Sequence, residues 1–131
     1  MNPAHQNLTS LRDGLLRLHK TLLDSERAVY DRDVQRITSA GMMLQLVMND
    51  PHFAWLHQVS ELIVAIDERL DADDDPVGPA DAGRFIGRTR TLLTTEEDGV
   101  EFSRRYHGAL QRDPEVVLAH GRMMAVLNSL V

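Results

Sequence analysis

DPHFAWLHQVSELIVAIDERLD, residues 50–71, decides the fold class. Asp50 can cap the first free N–H groups of a helix, and Pro51 suits the first helical position, where no N–H partner is missed. Leu56, Val59, Ile63, Ile66 and Leu70 then recur at spacings of three and four, which places them along one side of a helix. Trp55, the only tryptophan, and Leu62 widen that stripe. The spacing predicts one amphipathic helix over the whole segment, at the centre of a helical core.

Upstream, Leu8, Leu11, Leu15, Leu18, Leu22 and Val29 keep a heptad-like rhythm from about Leu8 to Val34, with Ser25 in the weak slot. Leu16, His19, Leu23 and Tyr30 form a second row beside it, as expected of a helix touching two neighbours. Thr38 and Ser39 can start a short helix, Met42 to Met48, whose sequence MMLQLVM is apolar almost all round. Downstream, DADDDPVGPAD carries the acidic, proline and glycine signals of a connection. Further helices are predicted at about Pro79 to Leu93 and Thr95 to Gln111, the latter opened by Thr94 and Glu97 at capping-box spacing. A last one starts at Asp113-Pro114 and runs nearly to Val131. No strand alternation persists. The expected fold is all-α: a single-domain bundle of about five or six helices over residues 1–131, with the acidic loop at about 71–79 joining two helical halves.

Composition narrows the function classes. The chain has 131 residues and net charge −6, with residues 1–79 holding seven basic and thirteen acidic groups. That is not the basic field that nucleic-acid binding needs. No apolar run approaches a membrane span of about 18 residues. The N-terminal MNPAHQNLTSLRDG has no basic segment followed by an apolar one, so no secretion signal is expected. Cysteine is absent. That removes disulfides, thiolate nucleophiles and cysteine-ligated zinc, and a cytoplasmic, reducing setting is the expectation. One lysine stands against thirteen arginines, a bias that fits a GC-rich bacterial genome.

Enzyme signatures are missing: there is no nucleophile elbow, HExxH, phosphate-cradling glycine loop or dinucleotide fingerprint. Six histidines are the first place to look for chemistry. His120 shares a helical face with Val116, Met123 and Leu127, and His19 lies in the second row of the first helix, seven residues before Glu26. His19, Glu26, Tyr106 and His120 are therefore the candidates for an interior site that binds a small ligand or metal, although the Glu-x-x-His pairs of carboxylate-bridged metal proteins are absent. His57 and Glu61, four apart, align with Glu68 on a solvated face. Asp71 to Asp75 lack the spaced ligands of a calcium loop. Gly83 and Gly87 sit inside a predicted helix, where each costs about 1 kcal/mol against alanine unless close packing compensates.

Methionine is the more informative soft feature. Met42, Met43, Leu46 and Met48, with Met123 and Met124, are candidates for an adaptable contact surface, and Val126, Leu127, Leu130 and Val131 also need cover. Three stretches, LRDGLLRLHKTLLDSERAVYDR (11–32), MLQLVMNDPHFAWLHQVSELIVAIDERLDAD (43–73) and FSRRYHGALQRDPEVVLAH (102–120), together resemble a family of small bacterial helical proteins without an established activity. The resemblance implies a bacterial, cytoplasmic, all-helical protein and brings no catalytic residues. The expected function is non-enzymatic: a helical protein acting through protein–protein contacts, self-associating as a homo-oligomer or meeting another protein, with no cofactor, nucleic acid or membrane. The alternative is the interior ligand or metal site.

Overall fold

The computed structural model describes residues 2–95 and 100–130, and these form seven α-helices with no strand among them. They are α1 (Pro3–Asp33), α2 (Ala40–Asn49), α3 (Pro51–Ala54), α4 (His57–Leu70), α5 (Pro79–Thr94), α6 (Glu101–Arg112) and α7 (Pro114–Ser129). The long α1 is central, packed against α7, α4 and α5. Its heptad residues Leu8, Leu11, Leu15, Leu18 and Leu22 are all buried.

Helix starts follow side-chain chemistry. Asp113 Oδ1 accepts from Glu115 N–H at 2.9 Å, and Asp50 Oδ1 from His52 N–H at 2.9 Å. Ser39 Oγ accepts from Met42 N–H at 3.0 Å and opens α2 at Ala40, two residues before the expected start. The same capping chemistry extends α1 to Pro3, because Asn2 Oδ1 accepts from the N–H groups of Ala4 and His5. Asn2 also donates to the Val77 carbonyl at 2.9 Å, which ties the chain start to the acidic connection. The expected pairing of Thr94 with Glu97 falls at a residue outside the described ones. The helix after it begins at Glu101 rather than near Thr95.

The stretch 50–71 is two helices, not one. α3 ends at Ala54, and Leu56 N–H bonds the Phe53 carbonyl at 3.1 Å, a tighter three-residue step. Burial explains the break. Phe53, Trp55 and Leu56 are all buried, yet residues two apart point about 200° apart on a continuous helix. Phe53 packs against the rings of Tyr30 and His52, with centroids 5.7 and 4.9 Å away, while Trp55 meets Phe102 at 5.4 Å. The break divides the expected segment in two, and the helix number is seven rather than the expected five or six.

The acidic connection is anchored although its aspartates are exposed. Val77 is buried. The Arg69 guanidinium donates to the carbonyls of Asp75 and Pro76 at 2.7 and 3.1 Å and to Asp81 Oδ2 at 2.8 Å. Asp81 also accepts from Gly78 N–H at 3.1 Å. The Arg69 bond first, and then the Gly78 bond, hold the Asp81 carboxyl below its usual range.

Helical glycines divide into two kinds. A methyl at Gly14 would meet Met123 Sδ at 3.0 Å, so this glycine lets α7 approach α1 closely. At Gly83, Gly87, Gly108 and Gly121 a methyl would meet nothing within 4 Å. The close packing expected around Gly83 and Gly87 is therefore absent. Gly83→Ala, Gly87→Ala and Gly121→Ala should each raise stability by about 0.5–1 kcal/mol through helix propensity, read as a shift in the denaturant midpoint. Gly14→Ala should lack that gain, because the buried Met123 must give way.

Candidate functional site

The four interior candidates do not meet. Their side chains take part in three separate polar contacts, and no group of three potential metal ligands exists among the described residues. His19 Nε2 on α1 and Ser60 Oγ on α4 lie 3.0 Å apart in a hydrogen bond. Burial first, and then the nearby His57, makes His19 harder to protonate than a free imidazole. Tyr106 Oη on α6 and His120 Nδ1 on α7 share a hydrogen bond at 2.7 Å. Burial raises the Tyr106 pKa and so keeps its hydroxyl protonated. It also lowers the His120 pKa, with a smaller push from His107. A neutral imidazole can complete this bond as acceptor or as donor, according to its tautomer.

Glu26 forms the third contact, with residues that lie in other parts of the sequence. It is only 2% exposed. Arg112 Nη2 donates to Glu26 Oε1 at 3.0 Å and to Ser25 Oγ at 3.1 Å. His52 Nε2 lies 2.7 Å from Glu26 Oε2 and 3.2 Å from the Glu26 carbonyl. Both neighbours are acceptors, so the nitrogen carries the proton. One carboxylate thus joins α1 to α3 and to the end of α6. The periodicity of α1 had marked Glu26 as inward; its partners, 26 and 86 positions away, left no local signal.

The two shifted histidines give a pH dependence with a definite sign. Folding lowers both pKa values from about 6.5, so the unfolded chain takes up protons first as pH falls. Their contribution to stability is complete above about 6.5 and is lost progressively below it. Thermal melts should therefore fall from pH 7 to pH 5, and His120→Gln should flatten part of that slope.

The surface feature without an interior role is α2. None of its ten residues is buried, and its principal contact is with the four-residue α3. From Ile37 to Asn49 the chain carries no charged residue. Met43, Leu46 and Val47 make its inner row, half-buried against the core. Leu44 and Met48, four residues apart, are each 58% exposed and form an outer row with Gly41. Its C-terminal end is held by His57, whose Nε2–H donates to the Val47 carbonyl at 2.9 Å. His57, expected on a solvated face, is thus half-buried beneath α2.

The methionine candidates separate accordingly. Met48 is exposed, Met42 half-buried, and Met43 and Leu46 face inward. Met123 is fully buried against Gly14 and Met124 half-buried against the core, so Met123 is a core residue and not a contact surface. Leu44, outside those candidates, is exposed.

Beside α2, the outer face of α4 carries a shallow groove of about 330 Å³ lined by His57, Ser60, Glu61, Val64, Ala65 and Glu68. Val64 is 53% exposed there. Glu61 and Glu68 form no ion pair among the described residues. No helix among these residues is long and apolar enough to cross a membrane. No protein-family model, curated protein or solved structure matches the chain, so the resemblance to small bacterial helical proteins and the bacterial origin gain no support.

Proposed function

We propose that the protein acts non-enzymatically, through protein–protein contact, and that it self-associates through the outer row of α2. The observation that carries this reading is a charge-free, mostly apolar helix, held on one side and open on the other. A ten-residue helix is marginal in water by itself, and its exposed Leu44 and Met48 gain free energy by leaving water, at about 25 cal/mol per Å² of apolar surface removed.

A second copy is the partner that the charge pattern favours. In a two-fold dimer both copies bring the same surfaces to the contact. Both copies carry net charge −6, and the uncharged stretch 37–49 adds no acid to a contact between them. Leu44→Glu should reduce self-association at least tenfold while leaving the melting temperature of the isolated chain nearly unchanged, since the side chain is exposed. Sedimentation velocity across a concentration series, with a parallel thermal melt, reads both quantities. A wild-type chain that stays monomeric at every concentration would overturn the reading.

A further inference from the structure

Building on that self-association, we infer that the outer row of α2 docks into the α4 groove of a second copy, and that the exchange is reciprocal. Of the large apolar side chains left exposed, Leu44 and Met48 belong to the outer row and Val64 to the groove. The two surfaces are neighbours on one molecule, because His57 lines the groove and also bonds the Val47 carbonyl of α2. Neighbouring surfaces that complement each other can be exchanged across a two-fold axis, giving two equal helix-in-groove contacts.

Length and chemistry both match. The groove runs from His57 to Glu68, which is about 16 Å of helix at 1.5 Å per residue; the ten residues of α2 span about 15 Å. Val64 and Ala65 supply an apolar floor for Leu44 and Met48. Glu61 and Glu68 on the rim need donors. The polar flank of α2 consists of Gln45 and Asn49; Asn49 Nδ2 donates to Gln45 Oε1 at 3.1 Å, which leaves the Gln45 amide hydrogens and the second Asn49 hydrogen to donate to an acidic rim without adding acid to it. Pairing α2 with α2 of the partner would leave the groove and its carboxylates unused.

Charge placed on either surface tests the exchange. Leu44→Glu and Val64→Lys alter exposed positions, and a lysine at position 64 has Glu61 and Glu68 within one turn, so α4 keeps its helix; a thermal melt of each variant checks this. Each variant alone should dimerise at least tenfold more weakly than the wild type. An equimolar mixture should recover dimer, because one half-site is then native and the other sets glutamate against lysine. Sedimentation velocity of the variants and the mixture reads the outcome. If Val64→Lys dimerises normally while Leu44→Glu does not, the groove assignment is overturned and self-association through α2 stands. If both variants weaken the dimer but the mixture recovers nothing, the reciprocal exchange is overturned. A monomeric wild type overturns both levels.

Discussion

Phe53→Ala should cost about 3–5 kcal/mol, the range for emptying a buried aromatic site. Phe53 is fully buried between Tyr30 and His52 and is the only buried residue of α3. At about 4 °C per kcal/mol for a chain of this size, the melting temperature should fall by roughly 10–20 °C. The effect should also spread. α2 takes its principal support from α3, so its amides should exchange hydrogen faster than in the wild type by a larger factor than those of α1. Uniform acceleration along the chain would mean that α2 does not depend on the Phe53 anchor.

The second large effect concerns the buried carboxylate. Arg112→Ala should destabilise by about 2–3 kcal/mol, because Glu26 is then left in the interior with one of its two side-chain partners gone. The reverse deletion should be milder. The Arg112 side chain is 35% exposed and the Glu26 side chain 3%, so an arginine that loses its partner can be hydrated whereas the carboxylate cannot. Glu26→Leu also replaces a buried charge by apolar volume, and should cost less than half as much as Arg112→Ala. Chemical denaturation of the two variants decides this; equal losses would show that the pair itself, rather than the stranded carboxylate, sets the energy.

These expectations trace where the sequence was legible. The heptad row of α1 and the Asp-Pro helix starts could be read directly, since each rests on residues within a few positions of one another. Asn2-Pro3 carries the same start signal, but the apolar rhythm begins only at Leu8, where the sequence places the start of α1. The break at Trp55 was hidden for a related reason: the stripe from Leu56 to Leu70 is genuine, but Phe53 and Trp55 find separate pockets that only tertiary packing defines.

The site was legible as a segment and not as a face. MMLQLVM identified α2 as a helix needing cover, yet a helix apolar all round has no preferred side to read. Met43 and Leu46, expected among the contact candidates, are half-buried against the core, and Leu44, outside those candidates, is exposed. His19, Glu26, Tyr106 and His120 were each correctly expected to lie at least partly inside. Their partners Ser60, His52 and Arg112 come from distant helices, and that is why four inward polar groups form three separate contacts instead of one centre.

The central claim is that α2 brings two copies together. Native mass spectrometry of the wild-type protein and of Leu44→Glu, at matched concentration and ionic strength, tests it most directly. The account predicts twice the 14.8 kDa chain mass for the wild type and a single chain mass for the variant; a wild-type monomer, or a Leu44→Glu dimer as stable as the wild type, would contradict it.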